Sequence, residues 1–340
     1  MRTDPRTEVE RAAAGVGFPR LKVARLKQPP PGLEDFDRYL AEGRWADMEW
    51  LRRGRAPRAD PTSLLPGAQS VVVLAIDYAW TRPPDPGGLT GKVACYAWGR
   101  DYHAAIGKRL RKLCRALEQA LPGERFYAGV DSRPILERAW AREAGMGFLG
   151  KNGCVLIPAE TSYLFLAVVL TTADLAADLA TAGDHCGRCR RCLVACPTGA
   201  FTAEREIDAR RCISYHTIEN RGVIPTELRA AFGRWVFGCD DCQEVCPHNG
   251  APSEHDADFA PRPGHAWLDL AWVLTTSDEA LARHFAGSPI RRAHPLGLKR
   301  NACVVLGNVG DPAARTALLR AREHASAVVR DHAEWALDRL

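Results

Sequence analysis

The chain has 340 residues, enough for two or three domains, and with 46% hydrophobic and 26% charged residues it is ordinary for a folded protein. Its net charge of +5 permits a phosphate or nucleic-acid partner without demanding one. No apolar run is long enough to span a membrane, and the N-terminal MRTDPRTEVERAAAGVGF lacks the apolar core of a signal peptide, so a cytoplasmic protein with no membrane partner is expected. In that compartment twelve cysteines argue for metal ligation rather than disulfides.

Along the chain, residues 8–17 read as a short helix, and 52–66, arginine-rich and broken by prolines, as a loop. SVVVLAIDY (70–78) is a buried strand by its β-branched run, followed by a surface loop over 81–92. Residues 102–121 have helical periodicity, with Ile106, Leu110, Leu113, Leu117 and Leu121 on one face. A strand over 125–131 ends at Asp131, a helix follows over 134–144, and 162–172 is another strand. This alternation predicts an α/β domain over 1–180. Over 181–260 the cysteines dominate, and metal is expected to stand in for a large apolar core. The last stretch, 261–340, is helical. Within it KRNACVVL (299–306) and RDHAEWAL (330–337) align 31 residues apart across a turn at 310–312, the outline of a short HEAT-like array.

The cysteines carry the sharpest signal. Cys186, Cys189, Cys192 and Cys196-Pro197 form C-x2-C-x2-C-x3-C-P, the spacing of bacterial ferredoxins, in which the fourth thiolate serves the other cluster. Zinc knuckles rarely carry a third cysteine at that spacing followed by Cys-Pro. Cys239, Cys242 and Cys246-Pro247 supply three ligands of a second cluster, and the nearest unused thiol is Cys212. Crossing over assigns Cys186, Cys189, Cys192 and Cys246 to one 4Fe-4S cluster and Cys196, Cys212, Cys239 and Cys242 to the other. Two cubanes in sequence deliver single electrons. Cys114 and Cys303, in helical patterns, read as packed core thiols.

Nearly the whole chain resembles the epoxyqueuosine reductases of tRNA modification. The resemblance rests on RADPTSLLPGAQSVVVLAIDY (58–78), YAWGRDYH (96–103), VDSRPILERAWAREAGMGFLGKNGCVLIP (130–158), CISYHTIE (212–219) and SPIRRAHPLGLKRNACVVLGN (288–308), together with both cysteine motifs. It implies an α/β cobalamin-binding domain similar to that of reductive dehalogenases, a two-cluster ferredoxin module and a C-terminal HEAT-like region. The implied reaction is reduction of the epoxide of epoxyqueuosine, at the wobble base of the tRNA anticodon, to the alkene of queuosine. The implied cofactors are cobalamin and two 4Fe-4S clusters. The implied partners are tRNA with a queuosine-type anticodon and an external electron donor, acting with a monomer.

Removing an epoxide oxygen as water takes two electrons and two protons. Asp131 matches the family's proton donor, a role that requires a desolvated pocket to keep an aspartic acid protonated. Its other reading is an N-cap for the helix expected at Pro134. The resemblance also places Arg58, Cys95, Asp131, Lys151, Asn152, Ser214 and Tyr215 among the cofactor contacts. No D-x-H-x-x-G motif is present, which implies cobalamin bound base-off without a histidine from the protein. Arg291, Arg292, His294, Lys299 and Arg300 form a basic cluster suited to anticodon-stem phosphates. Two other readings compete. A plain electron-transfer protein needs no long α/β domain, and reductive dehalogenases typically carry a twin-arginine export signal and lack the basic helical tail.

Overall fold

A computed structural model describes residues 4–180, 183–250 and 256–340. Ser70–Asp77 is the hub of the N-terminal half. Its β-branched run has no polar alternation because the strand is buried on both faces. It lies second in a four-stranded sheet of order Arg20–Arg25, Ser70–Asp77, Leu164–Thr171, Phe126–Gly129. Ser70 pairs with Thr171 and Asp77 with Leu164. Val72, Leu74 and Ile76 point into a core with Ile106, Leu110, Leu113 and Leu117 of the helix Tyr102–Ala120. The alternate residues Val71, Val73 and Ala75 face Trp140 and Ala141 of the helix Glu137–Glu143.

Helices thus cover both faces, as the alternation predicts, but every pairing in this sheet is antiparallel. The connections are therefore not the parallel crossovers of a βαβ unit. Two local expectations are also corrected. The stretch 52–66 is not a plain loop, because it takes in the end of the helix Glu49–Arg53, the helix Arg55–Ala59 and the 3-10 turn Pro61–Ser63. The helix expected from Pro134 starts only at Glu137.

A three-stranded sheet takes one strand from each of the three expected segments. Thr90–Val93 pairs in parallel with Trp235–Phe237 on one side and antiparallel with Trp267–Asp269 on the other. The boundary expected between 180 and 181 falls at 181–182, outside the described residues. The C-terminal region is helical: Leu270–Thr275, Asp278–His284, His294–Val309, Arg315–Arg322 and Ala327–Leu337. The two aligned segments lie in the helices His294–Val309 and Ala327–Leu337, which touch closely enough that a Cβ at Gly307 would sit 2.9 Å from the Ala336 Cα. No helix of the described residues is long and apolar enough to cross a membrane.

Candidate active site and cluster-binding cysteines

Asp131 lies just past the strand Phe126–Gly129, where the chain folds back on itself. A Cβ at Gly129 would meet the Arg133 Cβ at 2.6 Å, so the reversal needs glycine there. Asp131 takes φ 50° at the centre of a three-residue turn closed by the Ser132 amide donating to the Val130 carbonyl. Such a left-handed backbone is strained for most residues and tolerated by aspartate. The N-cap reading of Asp131 fails, because the next helix is flanked by Leu136 and its cap uses no side chain.

The Asp131 carboxylate instead faces the first turn of the helix Tyr102–Ala120. The Tyr102 hydroxyl donates to Asp131 Oδ2 at 2.5 Å, and His103 Nε2 is 3.1 Å from the same oxygen. His103 Nδ1 is 2.9 Å from Asp101 Oδ1, and Asp101 also caps this helix by accepting from the His103 amide. The imidazole is held between two carboxylates. Burial pulls its pKa down, but hydrogen bonds and charge from Asp101 and Asp131 outweigh this and lift it to about 9. The Asp131 side chain is 56% exposed. Crowding by the protein pushes its pKa up, yet hydrogen bonds from His103 and Tyr102 and the charges of His103 and Arg292 leave it below the usual aspartate value. The desolvated, proton-keeping aspartic acid expected from the sequence is thus corrected: the proton of this pair rests on His103.

Two further ionisable groups face the same place. The Glu137 carboxyl is pushed up to about 8 by burial and the nearby Asp131 charge, and its buried Oε1 has no hydrogen-bond partner. The buried Nε1 of Trp140, one turn along the same helix, is also without a partner. Arg58 is buried between the rings of Phe36 and Trp50, 5.4 and 5.9 Å from their centres. Burial lowers its pKa, and the charges of Glu137 and Asp131 counter the fall. A buried guanidinium beside orphaned donors and acceptors suits a polar ligand. Cys95 is buried, its thiol 3.5 Å from the Tyr78 carbonyl and its pKa pushed up to about 12, and its amide donates to Asp240 at 2.6 Å.

The other expected cofactor contacts also bond protein groups. Lys151 bonds the Gly187 carbonyl and pairs with Glu204, each at 2.8 Å. Asn152 donates to the Cys242 carbonyl at 3.2 Å. Both residues line the cysteine cavity described below. The backbone amides of Ser214 and Tyr215 point at the Cys212 sulfur, and the Tyr215 hydroxyl donates to Asp47 at 2.5 Å. Lys151, Asn152, Ser214 and Tyr215 thus hold the cysteine loops and, through Tyr215, the surface at Asp47.

The cysteines gather in two sets. Cys186, Cys189, Cys192 and Cys246 line one cavity of about 60 Å³. Cys212 lies within electrostatic reach of Cys196, Cys239 and Cys242, and the Ala200 amide donates to the Cys196 sulfur at 3.3 Å. Among the described residues no three such side chains converge on a single-ion site. Four thiols spread around a cavity are what a cluster carrying a thiolate on each iron needs. Cys154, which the sequence left without a role, lies near both sets.

The basic cluster divides. Arg291 and His294 are exposed. Arg292 forms a two-point pair with Glu219 and lends charge to the Asp131 pocket. Lys299 and Arg300 are corrected: neither reaches solvent phosphates. Lys299 is buried against Asp278 at 2.6 Å. Arg300 is 1% exposed, and its guanidinium donates to the carbonyls of Asn220 at 2.8 Å, Gly222 at 2.7 Å and His216. The sequence argument missed Tyr102, His103 and Glu137 as site residues, although all three sit inside the quoted blocks YAWGRDYH and VDSRPILER.

Comparison with known proteins gives the family. Residues 58–132 match the family model described as "Epoxyqueuosine reductase QueG, DUF1730", and 185–249 match a 4Fe-4S double cluster binding domain. The epoxyqueuosine reductase of Synechococcus sp. (strain CC9605) is 41% identical over 310 residues, 88% of this chain and 95% of that protein. That of Pseudomonas aeruginosa is 42% identical over 308 residues, 89% and 85% of the two chains. An epoxyqueuosine reductase solved with an epoxyqueuosine-modified tRNA-Tyr stem loop superposes with a TM-score of 0.87 at 27% identity, covering 98% of this chain and 89% of that one. The Bacillus subtilis reductase, solved with its catalytic aspartate loop swung out of the active site, superposes equally well, at 28% identity over the same shares. The chain belongs to the epoxyqueuosine reductase family.

Proposed function

We propose that this protein reduces epoxyqueuosine to queuosine at the wobble position of tRNA. The observation that carries the reading is the Asp131, Tyr102 and His103 constellation, set on a fold that matches a tRNA-bound reductase along nearly its whole length. Cys186, Cys189, Cys192 and Cys246 would hold one 4Fe-4S cluster, and Cys196, Cys212, Cys239 and Cys242 the other, supplying electrons singly when bound. Cobalamin, when bound, supplies a centre that collects two electrons and attacks carbon. Arg58, with no acidic partner in hydrogen-bond contact among the described residues, is the residue best suited to a phosphate or amide of that cofactor, beside Cys95 and Asp131.

The protein's own part is the proton. Asp131 delivers it to the departing epoxide oxygen, and His103, charged up to pH about 9, returns one to Asp131 across 3.1 Å. Closure of the pocket over the flipped nucleotide removes water from the carboxylate, which favours its neutral, donating form. Arg291 and His294, exposed in the helical region after residue 261 that we read as a HEAT-like array, would meet anticodon-stem phosphates. The test is an anaerobic assay of the protein, loaded with iron, sulfide and cobalamin, on epoxyqueuosine-containing tRNA. Nucleoside mass spectrometry should show queuosine, and fully loaded protein that leaves the epoxide intact would sink the reading.

A further inference from the structure

A groove of about 690 Å³ open to solvent runs between the helices Arg191–Ala195 and Asp241–Glu244, lined among others by Arg190, Arg191, Val194, Val245, Cys246 and Pro247. Arg191, Cys246 and Pro247 also line the cavity of the cysteine set Cys186, Cys189, Cys192 and Cys246, so one layer of residues separates groove from cavity. Val194 is 80% exposed at the groove. Arg188, Arg190 and Arg191 are exposed, and none of the three makes an ion pair among the described residues, whereas many arginines of this chain do. The one acid on the groove, Glu244, is already neutralised by Lys92 at 2.8 Å and Arg82 at 3.3 Å.

We infer that this groove is the docking surface for a small acidic one-electron carrier protein of the ferredoxin class, a reading that rests on the proposed reductase function. An uncompensated positive rim steers an acidic partner, and a small apolar centre suits the weak, transient contacts of electron-transfer pairs. Electron transfer falls steeply with distance, and Cys246, assigned to the cluster beneath, itself lines the groove. Each encounter moves one electron: the carrier is oxidised by one and the cluster beneath the groove is reduced by one. Two encounters supply the pair that, with two protons, removes the epoxide oxygen as water. A tRNA would use the arginines but not the exposed valine.

The probe is an acidic plant-type 2Fe–2S ferredoxin. Its binding in the oxidised state to the iron–sulfur-loaded protein is measured by calorimetry, and its one-electron transfer in the reduced state by stopped flow. Arg188→Glu/Arg190→Glu/Arg191→Glu should lower the ferredoxin transfer rate at least ~10-fold and abolish its salt dependence. Iron content, reduction by dithionite and tRNA affinity should be unchanged. Because those arginines flank cluster ligands, Val194→Glu is the second variant: exposed and outside the core, it should weaken ferredoxin binding several-fold with the cluster intact. Wild-type ferredoxin binding and transfer in Val194→Glu and in a loaded triple variant would overturn the proposal. So would loss of tRNA affinity with ferredoxin transfer preserved, which would assign the groove to nucleic acid. None of these readouts depends on epoxide reduction, so they fail separately from the reductase reading.

Discussion

His103 Nε2 stands 3.1 Å from Asp131 Oδ2 while its Nδ1 is held 2.9 Å from Asp101, so one imidazole bridges the helix cap and the proposed proton donor. Both carboxylates favour the imidazolium, whose pKa rises from 6.5 to about 9. The proton is therefore held below that pH and lost above it. Reductase activity should fall on the alkaline side with an apparent pKa near 9, measured as a pH–rate profile with saturating reductant. His103→Gln should lower the rate and remove that limb. A profile unchanged by the substitution would exclude His103 from the proton path.

Asp131→Asn keeps the shape and tolerates the left-handed turn but has no proton to give. The rate should fall ~10²–10⁴-fold. Thermal stability, iron content and tRNA affinity should stay near wild type, since the side chain caps no helix. Single-turnover kinetics with the loaded protein checks this.

Glu137 titrates near 8 in the fold, above the ordinary glutamate value of 4.5, because burial disfavours its charge. For an acid with a raised pKa the unfolded chain ionises first, so stability is fully present below pH 4.5 and declines as pH rises toward 8. Glu137→Gln should raise Tm at pH 8 relative to wild type and leave it nearly unchanged at pH 4. A Tm difference independent of pH would mean that Glu137 is ionised in the fold.

Cys212→Ala should lose or degrade one cluster. About eight irons per chain are expected after anaerobic reconstitution of the wild type, and the variant should retain roughly half. Cys303→Ala, in the buried helix His294–Val309, should keep them all at some cost in stability. Iron analysis and the cluster absorbance decide. Full iron in Cys212→Ala would transfer the eighth ligand to another thiol, for which the position of Cys154 makes it the first candidate.

Arg300 and Arg291 should behave oppositely. Arg300→Met leaves the carbonyls of His216, Asn220 and Gly222 without their donor, at about 1–3 kcal/mol for each buried group left unpaired. Chemical denaturation should show that loss. Arg291→Glu, exposed, should leave stability alone, weaken tRNA binding and reduce its salt dependence by roughly one counterion. Equal tRNA affinity in Arg291→Glu would move the RNA surface away from this edge.

The parts legible in the sequence are those written locally. C-x2-C-x2-C-x3-C-P specifies thiol geometry within a few turns of chain, and the β-branched run at 70–78 reads as a buried strand, which the structure shows over Ser70–Asp77. Asp131 stands out because its block is continuous with recognisable neighbours, and Cys212 is proposed because eight ligands must divide between two clusters. What only the tertiary structure decided involves partners far apart in the chain. Lys299 and Arg300 look like a basic surface until Asp278 and carbonyls some eighty residues upstream take up their donors. His103 becomes part of the site because the strand Phe126–Gly129 ends opposite the first turn of another helix, 28 residues away in sequence. The sheet joining Thr90–Val93, Trp235–Phe237 and Trp267–Asp269 has no local signature at all. Spacing determines which atoms can share a cluster, whereas burial, ion pairing and pKa depend on which surfaces meet, and that is settled only when the chain packs.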